Sequence, residues 1–169
     1  MNATDWNAIA DAYSEIDDPE ERPVLTFIRR KLSKLQPKRL LDYGGGDGKF
    51  ALMCAESLSP QEIVTYDPAP RMTSLARSLC ADFKQIRVTE STEEIKSGTF
   101  DVVTFNAVWM CLTSREACLD TLKKIARLLA RMVAWSHRSR IHVFGRASFR
   151  AIQRTSITAI ILMKGHYSM

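Results

Sequence analysis

The stretch Leu40-Leu-Asp-Tyr-Gly-Gly-Gly-Asp-Gly-Lys-Phe50 decides the fold. Two apolar residues run into Asp42, glycine occupies positions 44, 45, 46 and 48, and a helical pattern follows. A strand that feeds a glycine-rich turn and opens a helix is a nucleotide cradle. Glycine lets the backbone come close to a ligand, and the new helix points free N–H groups at it. The spacing narrows the ligand. A dinucleotide fingerprint, Gly-x-Gly-x-x-Gly, counted from Gly44 needs its third glycine where Lys49 stands. A Gly-x-x-x-x-Gly-Lys-Ser/Thr loop ends well at Gly48-Lys49, but Tyr43 holds its first glycine position and Phe50 its hydroxyl position. The pattern that fits is apolar-Asp-x-Gly-x-Gly-x-Gly, carried by Asp42, Gly44, Gly46 and Gly48.

Elements alternate on either side of this stretch. Residues 5–16 read as a short helix with Trp6, Ile9, Ala10 and Tyr13 on one face, broken at Asp17-Asp-Pro. A second helix, roughly Glu20 to Leu35, spaces Leu25, Ile28, Leu32 and Leu35 helically and ends at Pro37. Arg39–Tyr43 is the first strand. Phe50, Ala51, Cys54 and Leu58 give the next helix its buried face, and Ser59-Pro closes it. Glu62–Tyr66 is a strand ending at Asp67, Arg71–Cys80 a helix, and Gln85–Val88 a short strand. Phe100-Asp101 leads into a fourth apolar strand ending near Asn106. Thr113-Ser-Arg-Glu116 reads as a capping box for a helix through Leu119, Leu122, Ile125 and Leu129. Alternation of this kind predicts an α/β doubly wound parallel sheet, with a ligand at the C-terminal strand ends.

The glycine pattern resembles motif I of the class I S-adenosylmethionine-dependent methyltransferases, with Gly45 where that family usually has Cys or Ser. The resemblance covers about residues 5–130 and implies a Rossmann-like fold, S-adenosyl-L-methionine as cofactor and methyl transfer to a small-molecule acceptor. It implies that Gly44, Gly45, Gly46 and Gly48 cradle the methionine and ribose region, and that Asp42 fixes the loop and the amino acid end. Asp67 would hold the ribose hydroxyls bidentately. Met72 would lie on the adenine, Glu90 would accept from its amino group, and Asn106 would stand beside the reacting end. Tyr13, in the N-terminal helix pair that covers the cofactor, would touch the methionine end. Trp109 and Met110 would line the substrate side. No base is required by the mechanism and none is assigned. Two rival functions stand beside this one: a remnant that binds cofactor without turnover, and a nucleotide- or NAD-binding domain, against which Lys49 argues.

Bulk properties set the frame. A chain of 169 residues with 25% charged and 46% hydrophobic residues suits one globular domain. No apolar run reaches a membrane span, and the start, Met-Asn-Ala-Thr-Asp-Trp, is no signal peptide. Cys54, Cys80, Cys111 and Cys118 lack metal or redox spacing, so reduced thiols and a cytoplasmic setting are expected.

The net charge of +5 divides unevenly. All nineteen acids lie at or before Asp120, while seven of the 24 Lys and Arg lie after residue 130. Residues 131–169 are therefore read as an atypical basic tail behind a domain of residues 1–130. A tail of average composition would carry about five acids. The turn that the family places after Ala130 is missing too. One reading is a frameshift. Codons synonymous with residues 130–169 exist for which restoring one deleted cytosine near Arg131 gives Ala-Pro-Asp-Gly-Arg-Leu-Val-Ala-Ser-Val, which resembles the family's entry into its fifth strand. Sequencing the gene decides it: an uninterrupted frame with other codons removes the idea. Nucleic acid is not the expected partner of this tail, since Ile157–Met163 is too apolar for a solvated arm. The fourth strand becomes an open edge, prone to self-association, unless Ile141–Phe144 or Ile157–Met163 pairs with it. His137, His142 and His166 all lie in the tail and receive no role.

Overall fold

The computed structural model describes residues 4–16, 23–108, 111–129, 141–144 and 159–163. In chain order these form α1 (Trp6–Ile16), α2 (Pro23–Leu35), β1 (Arg39–Tyr43), α3 (Lys49–Leu58), β2 (Glu62–Tyr66), α4 (Pro70–Leu79), β3 (Ile86–Thr89), β4 (Val102–Asn106), α5 (Arg115–Leu128), β5 (Ile141–Phe144) and β6 (Ala159–Met163). The break expected at Asp17-Asp-Pro, the start of the second helix at Glu20, and Trp109 and Met110 lie outside the described residues.

The sheet runs β3-β2-β1-β4-β6-β5. Its first four strands are parallel, with Leu41 of β1 level with Val64 of β2 and Val103 of β4. A strand buried on both faces reads as a near-continuous apolar run, and Leu40 and Leu41 of β1 show why. Leu40 packs into a core with Leu25, Ile28 and Leu32 of α2 and Phe50 and Cys54 of α3. Its neighbour Leu41 packs on the opposite face, with Phe105 of β4 and Ile125 and Leu128 of α5. The Phe100-Asp101 pair also has a physical reason. The Asp101 carboxylate accepts the backbone N–H groups of Lys38 and Arg39 at 3.0 and 2.9 Å, fixing the entry to β1, while Phe100 is 1% exposed in the core.

Beyond β4 the sheet departs from an all-parallel plan. β6 lies antiparallel on β4, with Thr104 opposite Ile161, and β5 lies antiparallel on β6. Both segments named as candidates for covering the β4 edge are in the sheet, and the one on β4 is Ala159–Met163.

Three local expectations are corrected. Ile9 is 40% exposed, so the packed face of α1 is Trp6, Ala10 and Tyr13. Leu119 likewise faces outward, at 37% exposed, leaving Ile125 and Leu128 as the buried residues of α5. The cap of α5 is Ser114 rather than Thr113: its Oγ accepts the Ala117 N–H at 3.1 Å. Ser114→Ala should therefore cost about 1 kcal/mol in urea unfolding, while Thr113→Ala should cost a few tenths at most. The reverse ranking would return the cap to Thr113.

Among the described residues no helix is long and apolar enough to cross a membrane, none of the four cysteines is in a disulfide, and no group of His, Cys, Asp and Glu has metal-binding geometry.

Candidate functional site

A cavity opens at the C-terminal ends of β1, β2 and β4. Its lining includes Trp6, Tyr13, Asp42, Gly44, Gly45, Gly46, Asp47, Asp67, Met72, Asn106, Ala107, Val108 and Cys111. Eight of the ten residues singled out in the sequence meet there; Gly48 and Glu90 do not.

The loop after β1 is held by its own backbone. The N–H groups of Gly44 and Gly45 both donate to the Tyr66 carbonyl, at 2.7 and 2.9 Å, and that of Gly46 donates to Asp67 Oδ2 at 3.0 Å. Gly44 has φ +78°, and a Cβ there would lie 2.1 Å from Val108 Cγ2. At Gly45 the obstruction is polar: a Cβ would stand 2.1 Å from Thr65 Oγ1 and 2.6 Å from Asp42 Oδ2. Gly48 serves packing instead. A side chain there would run into Ala76 of α4, whose Cβ is 2.9 Å away, so this glycine lets α4 approach the start of α3.

Asp42 is 3% exposed. Its Oδ1 accepts the Thr104 hydroxyl at 2.8 Å, and its Oδ2 has no hydrogen-bond partner among the described residues. Burial pushes its pKa up to about 7; the Thr104 hydrogen bond opposes that rise, and the carboxylates of Asp67 and Asp47 add to it. Asp67 is also shifted up by burial, restrained by the N–H groups of Ala69 and Gly46 that its two oxygens accept. Each of those oxygens keeps a second lone pair. Asn106 ends β4 with its Oδ1 buried and without a hydrogen-bond partner among the described residues. Met72, 2% exposed, lies under Gly46, where a Cβ would be 4.0 Å from its sulfur.

Helix α1 closes one wall. Trp6 and Tyr13 meet edge to face at 5.4 Å, and Ala10 packs on Ala69 and Met72. Polar contacts fasten both ends of the helix. Asp11 pairs with Arg71, whose N–H donates to Asn7 Oδ1 at 3.0 Å. At the other end the Ser14 hydroxyl donates to Asp47 Oδ2 at 2.8 Å, and Lys49 donates to the Ser14 carbonyl.

Glu90 stands elsewhere. Its Oε1 accepts from Thr73 Oγ1 and Arg77 Nη1 of α4, both at 2.8 Å; Thr73 is buried, while Glu90 and Arg77 are exposed. Those hydrogen bonds, that of Arg77 first, hold its carboxyl below the ordinary value. Sequence reasoning missed Asp47, whose place inside the glycine stretch was a usable signal. It also missed Ala107, whose positive φ of 58° an alanine does not advertise.

A family model described as "Methyltransferase domain" matches residues 20–143, thirteen residues past the boundary placed at 130. No curated protein sequence matches the chain. Solved structures similar to it include N-methyltransferase NodS from Bradyrhizobium japonicum in complex with S-adenosyl-L-homocysteine. The identity is 16% and the TM-score 0.59, over 75% of this chain and 69% of that one. A SAM-dependent methyltransferase from Geobacter sulfurreducens, also with S-adenosyl-L-homocysteine, is 18% identical with TM-score 0.56, over 73% of this chain and 50% of that one. YcgJ from Bacillus subtilis is 20% identical with TM-score 0.53, over 63% of this chain and 46% of that one. The chain thus spans about half the length of two of these relatives. With the family model covering 124 of the 169 residues, and the Rossmann-like α/β fold of those structures around the cavity, the chain belongs to the methyltransferase-domain family.

Proposed function

We propose that the cavity takes S-adenosyl-L-methionine and that the protein transfers its methyl group to a small-molecule acceptor. The observation that carries this reading is a pair of acceptors in one cavity wall, Asp42 Oδ2 and Asn106 Oδ1, with no hydrogen-bond partner among the described residues. A buried acceptor without a donor costs about 1–3 kcal/mol, and a ligand bearing an ammonium and other donors removes that cost. The glycine loop supports the same reading, since side chains at Gly44 and Gly45 would collide with Val108, Thr65 and Asp42. When bound, the cofactor supplies a sulfonium methyl open to in-line displacement by a nucleophilic atom of the acceptor.

The chain's own residues then position and desolvate. Asp42 accepts from the cationic amino acid end, and Asp67 uses its spare lone pairs for the ribose hydroxyls. Met72 offers an apolar surface to the base. Trp6 and Tyr13 keep water from the methionine end, and Asn106 Oδ1 takes a donor beside the reacting atoms. Glu90 has no part, so Glu90→Ala should leave affinity for S-adenosylhomocysteine within about twofold, measured by calorimetry; a tenfold loss would bring it back into the site.

The primary test is calorimetric titration with S-adenosylhomocysteine, with NAD as control. Micromolar binding of the first alone supports the reading. Binding of NAD alone moves the chain to the dinucleotide class. Binding of S-adenosylhomocysteine without turnover on any of a panel of amine, hydroxyl and thiol acceptors supports the non-catalytic alternative.

A further inference from the structure

The end of the sheet opposite the cavity carries the reverse charge. From Arg29 to Arg39 the chain holds six cations (Arg29, Arg30, Lys31, Lys34, Lys38 and Arg39) and no acid. A groove crosses the first residues of β1, β2 and β3, lined by Arg39, Gln61, Glu62, Lys84, Gln85 and Arg87. Lys38 abuts it, because its carbonyl accepts the N–H groups of Gln61 and Glu62 at 2.9 and 3.1 Å. The one acid in the groove is already committed: Glu62 Oε2 accepts from Arg39 Nε at 2.8 Å. Arg30, Lys34, Lys38, Lys84 and Arg87 are all exposed and have no ion-pair partner among the described residues. A strip of unneutralised positive charge therefore runs down α2 and into the groove. Among the described residues, the lining of the cavity at the other end includes no Lys or Arg, so it offers a polyanion no attraction.

We propose that this groove and the adjoining face of α2 bind the phosphate backbone of single-stranded nucleic acid, independently of cofactor and away from the methyl-transfer site. Charge complementarity selects a polyanion. Arg30 and Lys34, about 6 Å apart along α2, and the cations continuing through Lys38 to Lys84 and Arg87 suit a chain with regularly spaced charges. A membrane is disfavoured by the concave shape and by Phe27 being the only exposed large apolar residue of α2 among those whose burial is described, with Lys31 over its ring at 5.3 Å. An acidic peptide would need apolar anchors, and the groove offers glutamines instead. Nucleic acid is not an expected partner from the sequence, where the excess of basic residues lies in the tail; this surface belongs to the folded domain and does not depend on the cofactor reading.

The test is fluorescence anisotropy with a labelled 20-nucleotide mixed-sequence single-stranded DNA, across salt. Micromolar affinity near 50 mM salt is expected, with log K falling by about 0.7 per phosphate contact for each unit of log salt. The variant Lys34→Glu/Lys38→Glu/Lys84→Glu should weaken binding at least about tenfold and flatten the slope by about 2. The control Arg146→Glu/Arg150→Glu/Arg154→Glu changes net charge equally in the tail and should bind as the parent does. Both variants are checked by circular dichroism and by S-adenosylhomocysteine titration, so a folding defect is separated from lost contact. The proposal is overturned if the groove variant binds as the parent does, or if only the tail variant loses affinity. It is equally overturned if phosphatidylserine vesicles or polyglutamate bind as tightly at matched charge.

Discussion

Asp42→Asn is expected to weaken S-adenosylhomocysteine binding by about 30- to 100-fold, in line with loss of a charge-assisted hydrogen bond of about 2–3 kcal/mol. The same substitution should stabilise the ligand-free protein above neutral pH, because it removes a buried charge. The sign follows from the pKa. The folded protein holds the Asp42 proton up to about pH 7, whereas an unfolded aspartate releases it near 3.9. The folded state binds more protons between these values, so stability from this group falls as pH rises from about 4 to about 7 and is flat above. At 1.36 kcal/mol per pH unit the loss is on the order of 4 kcal/mol. Thermal melts of the parent and of Asp42→Asn from pH 5 to 8 should diverge, with the variant less sensitive to pH. Ligand binding runs the other way: an ammonium beside Asp42 favours the carboxylate, so affinity should rise toward pH 7 and binding below that should release a proton. Parallel pH profiles for the two proteins would remove Asp42 as the titrating group.

Gly45→Ser, which installs a residue usual in the family at this position, should destabilise this chain by about 2–3 kcal/mol through overpacking. It should also abolish measurable cofactor binding. Thr65 Oγ1, 2.1 Å from the new Cβ, belongs to a β-branched side chain that is 1% exposed and stiff at χ1. The loop would have to lift off the Tyr66 carbonyl to make room. Thr65→Ala in the same chain removes the nearest obstructing atom and should recover about half of the loss in urea unfolding. Thr65→Ala alone should be nearly neutral, since it deletes a hydroxyl that has no partner among the described residues. Gly46→Ala is the reference: its Cβ has room, and the cost is the positive φ of 57° alone, about 1–2 kcal/mol. Additive losses in Gly45→Ser/Thr65→Ala would mean that the two positions do not meet.

The parts of this molecule legible in the sequence are those where one physical demand acts alone. β1 is readable because Leu40 and Leu41 face two different cores, and both must be apolar. Asp42, Asp67 and Asn106 are readable because each lies at or next to the C-terminal end of a parallel strand, and the three strand ends converge on one cavity. Misplacements came where neighbours compete for one role. Thr113 and Ser114 are both good caps, and only the chain's approach to α5 chooses between them. Glu90 had the right distance in sequence from the strand, but Arg77 and Thr73 draw it onto α4. Gly48 belongs to the motif by spacing, yet its demand comes from Ala76, twenty-eight residues further on, which no local pattern reveals. The pairing of Ala159–Met163 with β4 was legible only as an apolar run needing a partner; its direction and its place inside β5 were not.

The position of β6 sets a timetable for synthesis. β4 ends at Asn106, and the strand that covers it does not begin until Ala159. At about 5–20 residues per second, the interval between making these two strands lasts roughly 3–10 s. Throughout it the half-made protein has its four parallel strands and helices α1 to α4, with α5 added partway, but a bare flank of unmatched peptide groups on β4. β6 thus acts as a closing seam, and translation speed over residues 107–158 governs how long that flank is available to other nascent copies.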